Sequence, residues 1–321
     1  MASKTITLDS GEEWILKQPS RAQRLAKKFR KDWRLYTLLL IPLAHLLLFA
    51  YGPMIGNVIA FRRFVPGGNI LGEEWVGLWF FRMFWNNPEF WRVFNNTVIL
   101  GVLTLLFTFP MPIIFALMLN EVKAGKFKKI VQTLSYLPHF MATVVVVAML
   151  QTLLSTSGTV NNIVEAFGGE RIFFMGLPQW FRTIFVSSRV WQTTGWGTIL
   201  YLAALTNIDP TLYEAAKIDG ANRWQQTWHI TLPGIRPTIV VLLILNVGWV
   251  LGVNFEQVLL QMNPLTRSTG DIIGTYLFRL GIESQMFSFA TAVNLFQSLI
   301  GITLLTVTNF ISRKLTDSSL W

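Results

Sequence analysis

Side chains able to do covalent or metal chemistry are few and scattered. The 321 residues include no Cys, which excludes thiolate catalysis, disulfides and Cys metal sites. The three histidines, His45, His139 and His229, lack metal-ligand spacing, and there is no HExxH element. A GxxxxGK(S/T) phosphate loop is also missing, so the chain is expected to bind no ATP through such a loop. No catalytic residue and no metal site are expected. The residues that stand out are amides and indoles in apolar surroundings. They are Trp191, Gln192 and Trp196; Asn246, Trp249 and Asn254; and Asn294 and Gln297 with Gly301, which share one helical stripe. Aromatic faces and amide hydrogen bonds suit a sugar. The same residue types also pack and hydrogen-bond between membrane helices, and both readings stay open. Glu256 reads as a carboxylate at headgroup level, and His139, after Pro138, as a structural hydrogen-bonding residue.

A second group of residues lies in one polar segment, Asp209 to Pro233. Asp209 suits an N-cap and Pro210 the first helical position. Glu214, Ala215, Ala216 and Lys217 favour helix, and Gly220 can adopt the left-handed conformation that ends one. The two alanines leave a flat patch that a partner's backbone can approach closely. A second helical piece is expected to run to a break at Pro233, with His229 placed where a partner could touch it.

These residues need elements to hold them, and the elements are apolar. Hydrophobic residues make up 52% of the chain and charged ones 14%, against about 25% in a soluble domain. A charge inside a membrane helix costs about 2.5–3.5 kcal/mol, so long charge-free intervals mark spans. Six such intervals exist: 35–61, 93–120, 130–164, 190–208, 237–255 and 284–312. The polar run after Leu154 shortens the third. The expected spans are 35–61, 93–120, 132–154, 188–208, 236–255 and 285–311, within a transmembrane region 35–312. With the N-terminus inside, the inner segments hold 18 Lys and Arg and the outer ones 9, so both termini are expected in the cytoplasm. The basic segment 1–34, densest from Arg21 to Arg34, reads as a topology anchor drawn to anionic lipid rather than a nucleic-acid site. Arg21–Arg34 can form an amphipathic helix on the inner surface, and 313–321 forms an inner tail. No cleavable signal peptide is expected, because the first apolar run starts late and is too long. The aromatic run from Trp75 to Trp91 is expected to lie as an interfacial helix at the outer headgroups.

The full spacing of the polar segment carries a resemblance. Glu214, Ala215 and Ala216, then Gly220, then Ile230, Leu232 and Pro233 resemble the EAA signature of the membrane subunits of bacterial ABC importers. That family implies a type I importer permease fold in the bacterial cytoplasmic membrane. It also implies that 209–233 is a coupling segment seated in a cleft of an ATPase. Its partners would be a second, homologous permease chain, two ATP-binding subunits that hold ATP and Mg, and an extracytoplasmic solute-binding protein. The stretches Trp75–Leu78, Phe90–Thr97, Leu119–Val122, Tyr136–Phe140 and Phe255–Leu260, with Asn263 and Pro264, are similar to the carbohydrate-uptake branch. Within it they look like permeases for oligosaccharides, including uronate-containing ones such as aldouronate, alginate or pectin fragments. The competing class is an ion-coupled secondary transporter of a small solute, which would place ionisable residues inside the spans. The charge-free intervals contain no carboxylate, which weighs against it.

Overall fold

The structure is a computed structural model that describes residues 3–7, 13–17, 21–123 and 125–316, with side chains at 22, 27–123 and 125–314. Part of the basic segment 1–34 and the end of the tail 313–321 therefore lie outside the described residues. The chain divides into two units, 1–58 and 59–321.

The first unit begins with an antiparallel pair, β1 (Ser3–Thr7) and β2 (Glu13–Lys17), with Ser3 opposite Lys17. Helix α1 (Arg21–His45) carries the basic stretch and the start of the first apolar interval in one element, kinked at Asp32. A π turn (Leu46–Tyr51) and one turn of helix α2 (Gly52–Met54) follow, then a 3-10 stretch (Ile55–Phe61) that crosses into the second unit. The α1 side chains Leu38 and Ile41 are more than two-thirds exposed, an apolar surface suited to lipid and not to water.

In the second unit a short pair, β3 (Arg62–Arg63) with β4 (Glu74–Trp75), leads into α3 (Trp79–Trp85), α4 (Pro88–Thr108) and α5 (Pro110–Glu121). Then come α6 (Lys126–Tyr136), a 3-10 turn (Leu137–Phe140), α7 (Thr143–Leu153) and α8 (Thr159–Ala166). The long α9 (Pro178–Leu205) precedes α10 (Pro210–Ile218), α11 (Arg223–Gln226), a π turn (Thr227–Thr231) and α12 (Leu232–Gly248). Short helices α13 (Phe255–Gln261), α14 (Arg267–Gly270) and α15 (Ile273–Leu277) and a π turn (Phe278–Glu283) lead to α16 (Phe287–Thr316).

Among the described residues, four continuous helical runs are long and apolar enough to cross a membrane: Lys27–Phe61, Pro88–Glu121, Arg223–Gly248 and Phe287–Lys314. A fifth arises if Lys126–Phe140 and Thr143–Leu153, bent by 100° at their junction, make one crossing. The expected span 132–154 is thus two helices. Pro138 sits in the 3-10 turn, and Met141 and Ala142 are extended, so the helical hydrogen-bond ladder stops there. The expected span 188–208 begins ten residues earlier, at Pro178, and carries Arg182 and Arg189. It is not apolar because it is central: Phe181 and Phe185 sit in one core cluster, and Tyr201 and Leu205 in another with Ala116 and Ile235. The expected span 236–255 stops at Gly248, and residues 249–253 are non-helical.

Two prolines that could end a helix do not. Both follow a π turn, in which the N–H after the turn bonds five residues back, Gly52 to Leu47 and Leu232 to Thr227. Proline lacks an N–H and its ring crowds the carbonyl four residues earlier; widening that turn makes room. The break expected at Pro233 is therefore a bulge, and the helix continues.

The aromatic run 75–91 does not lie as one interfacial helix. Phe80, Phe84 and Phe90 are buried in a core with Ile273, Tyr276 and Phe289, while Trp75, Trp79 and Trp85 are exposed. Below it, the side chain of Asp271, at 0% exposure, accepts from Arg267 Nε at 3.4 Å, Arg279 Nη2 at 3.0 Å and Thr275 Oγ1 at 2.7 Å. Glu89 at the start of α4 accepts from Arg92, Arg267 and Arg279, which pins the 267–279 segment to α4.

Candidate functional site: a membrane cavity and a capped polar helix

A cavity of about 470 Å³ opens among α4, α5, α9, α12 and the non-helical turn after α12. Asn246, Trp249 and Asn254 line it, as does Trp196. Asn246 Nδ2 donates to the Leu242 carbonyl at 2.8 Å, which leaves its Oδ1 for a hydroxyl donor. Asn254 spends its Oδ1 on the Gln257 N–H at 2.9 Å, capping α13. Trp249 is three-quarters exposed. Opposite, the His139 ring stacks on Trp196 with centroids 4.6 Å apart and planes 2° from parallel. His139 is thus part of an aromatic wall, not simply a hydrogen-bonding residue in the helix.

The four other expected pathway residues are not on this wall. Gln297 Nε2 donates to the Leu251 carbonyl at 2.8 Å, so it holds the turn after α12. Asn294 and Trp191 are exposed and outside the cavity lining. Gln192, 6% exposed, donates to the Met141 carbonyl at 3.3 Å and accepts from Arg189 Nη1 at 3.0 Å. Among the described residues lining the cavity, Arg189 alone carries a fixed charge. Sequence reasoning missed it because Arg189 marked the edge of a charge-free interval. The signal was present: Arg182, Arg189 and Trp196 recur every seven residues, nearly two helical turns, and so share a face of α9. A guanidinium in this low-dielectric setting acts on an anion much more strongly than one in water.

The polar segment folds as its residue types dictate. Asp209 Oδ1 accepts the Thr211 N–H at 2.9 Å, and this bond holds its carboxyl below the usual carboxylate range. α10 closes with bonds from Gly220 N to Lys217 O at 3.1 Å and from Ala221 N to Ala216 O at 2.8 Å. This Schellman closure needs the positive φ of +78° found at Gly220. Asn222 and Gln225 form a reciprocal capping box that starts α11. The two pieces are tied by Tyr213 Oη and Thr231 Oγ1 at 3.0 Å, and Arg223 pairs with Glu121 at 2.8 Å. Glu214, Ala215 and Gly220 are exposed, Ala216, Ile230 and Leu232 half-buried, and Pro233 exposed. His229 Nδ1 lies 2.9 Å from the Gln225 carbonyl. Ile218, 87% exposed, and the edge-to-face pair Trp224 and Trp228 form an apolar surface beside these residues.

A bundle with a polar-lined cavity and an exposed, capped polar segment is the architecture of a membrane transport subunit. Residues 37–317 match the family described as binding-protein-dependent transport system inner membrane component, and the chain belongs to it. It is an inner-membrane permease of a binding-protein-dependent importer. The polygalacturonan/rhamnogalacturonan transport system permease protein YteP of Bacillus subtilis (strain 168) is 43% identical over 96% of this chain and 96% of its own length. Protein LplB of the same organism is 44% identical over 91% and 92%. Among solved structures, a chain of a bacterial ABC transporter involved in the import of the acidic polysaccharide alginate is 42% identical, with a TM-score of 0.85, covering 91% of this chain and 99% of that one. A chain of a bacterial alginate ABC transporter in complex with alginate pentasaccharide-bound periplasmic protein is 41% identical, with a TM-score of 0.86, covering 92% and 100%. The fold is accordingly that of a type I importer permease.

Proposed function

We propose that this chain forms half of the pathway through which a uronate-containing oligosaccharide is imported across the bacterial cytoplasmic membrane. The observation that carries this reading is Arg189 in a cavity otherwise built for sugar, with Asn246 and Asn254 as amides and Trp196 and Trp249 as aromatic faces. A single guanidinium there matches a carboxylate and has no counterpart on a neutral sugar. The polygalacturonan/rhamnogalacturonan permease and the alginate transporter chains support it, since their names concern uronate polysaccharides. In this reading the crossings are the four long apolar runs, the bent pair α6–α7, and α9, whose 28 residues span about 42 Å. Both termini are then cytoplasmic. Glu214, Ala215, Ala216, Gly220, Ile230, Leu232 and Pro233 meet an ATPase on that side, Ile218 and Trp224 adding apolar contact. The chain performs no reaction and holds no cofactor. ATP and Mg sit on two partner ATPase subunits, a second permease completes the pathway, and an external solute-binding protein delivers the sugar.

The test is uptake into cells carrying the complete importer, using galacturonate, rhamnogalacturonan and alginate oligosaccharides against neutral malto-oligosaccharides. Acidic sugars should be taken up selectively. Arg189→Gln should lower that uptake about tenfold or more, the worth of a charged hydrogen bond. Equal uptake of neutral sugars, or an unchanged rate in Arg189→Gln, would overturn the assignment.

A further inference from the structure

The break between α6 and α7 is attached to the cavity wall in a specific way. Its 100° bend leaves Met141 extended, with a carbonyl outside any helical ladder. Gln192 Nε2 donates to that carbonyl, while Gln192 Oε1 accepts from the cavity cation, Arg189. Gln192 is buried, so neither end of its amide has water as a ready substitute. The same break is held to α9 at a second point, by the His139–Trp196 stack, and both rings line the cavity. On the far side of the bend α7 packs against α13, away from α6.

We propose that Gln192 is a positioning residue through which the state of Arg189 sets the α6–α7 bend. This rests on the reading that the cavity receives a carboxylate. With the cavity empty, the Arg189 guanidinium fixes the Gln192 amide, and the amide fixes Met141. A carboxylate in the cavity draws the Arg189 guanidinium toward itself and moves Nη1 away from Gln192 Oε1. Gln192 Oε1 then loses its partner in a buried place, the amide turns to seek another, and the clamp on Met141 loosens. The bend therefore responds to the charge of a bound acidic sugar through Gln192, and a neutral sugar leaves the clamp closed.

The native chain has no Cys, so spin labels can be placed at Lys129→Cys on α6 and Thr152→Cys on α7, both exposed, in the complete reconstituted importer. The label separation reports the bend without any sugar, so this measurement can fail while the acidic-sugar reading stands. Gln192→Leu and Arg189→Gln should each shift the separation by about 2 Å or more, the scale of helix shifts in switching proteins. The double variant should shift it no further than either single one, because the two act in one chain. Arg189→Lys, which keeps a donor for Gln192, should hold the native separation. Thr193→Asp places a carboxylate one turn from Arg189 and should reproduce the Arg189→Gln shift, whereas Thr193→Asn should not. If Arg189→Gln or Thr193→Asp leaves the separation native, or if the two single shifts add, the relay is wrong. Should Gln192→Leu fail to assemble, the Arg189 and Thr193 variants, whose side chains line the cavity, decide the matter alone.

Discussion

At the scale of single residues, the clearest energetic asymmetry lies between two carboxylates that share arginines. Asp271 is fully buried, and its partners Arg267 and Arg279 are 41% and 23% exposed. Glu89 is 38% exposed and its pairs are open to solvent. Asp271→Asn should cost about 2 kcal/mol of stability because it weakens the charge-assisted hydrogen bonds to Arg267 and Arg279, which keep Glu89 as a partner, seen as a lower unfolding temperature of the purified complex. Glu89→Gln should cost under about 1 kcal/mol in the same measurement. Close by, the Tyr276 hydroxyl is pushed up to about 12, first by burial and then by the Glu89 charge. The fold favours the neutral phenol, so its contribution is complete below pH 10 and is lost as pH rises from about 10 to 12. Alkaline unfolding over that window should be shallower in Tyr276→Phe by roughly 2–3 kcal/mol.

At the scale of elements, α9 organises the second unit, and one close approach shows how. A Cβ at Gly195 would collide with the carbonyl of Ser135, so glycine lets α6 lie directly on α9. Gly195→Ala should separate the two helices at a cost of about 1–3 kcal/mol, read as lost thermal stability. The same change should disturb the His139–Trp196 stack one residue along, and with it the tryptophan fluorescence of the cavity. Much at this scale was legible in the sequence. Asp209, Pro210 and Gly220 predict the cap and closure of α10 from residue type, since those bonds lie within a few residues of one another. The bend at Met141 and Ala142 was only hinted at by Pro138, since neither residue at the bend has a side chain that breaks helices and a proline inside a span also fits a kink. Arg189 was read as the edge of a charge-free interval and Arg182 as part of an outer segment, because a charge count cannot distinguish a helix facing lipid from one facing protein.

At the scale of the whole molecule, the exposed EAA segment and the cavity lie at different places in one bundle, and transport requires that they act together. Replacing Glu214 and Gly220 together, the second for a residue strained at φ +78°, should cut uptake at least tenfold while leaving the chain in the membrane. Uptake by the native importer should depend on ATP and continue when the ion gradient is collapsed. Intact uptake in the double variant would overturn the coupling role of this segment, and loss of uptake with the gradient would overturn ATP as the source of energy.

The sequence by itself determined the membrane setting, the helical class and the capped start and Gly220 closure of the 209–233 segment. Hydropathy, charge spacing and capping are each written within a few turns of chain, and they do not depend on what packs against them. Only the tertiary structure decided which polar residues meet. Asn246, Trp249 and Asn254 reach the cavity, Gln297 and Gln192 turn to distant carbonyls, and Arg189 enters as the cavity's cation. A buried amide takes whichever backbone acceptor the neighbouring helix presents, and that choice is fixed by packing between segments roughly 50 residues apart in the chain, Gln192 to Met141 and Gln297 to Leu251.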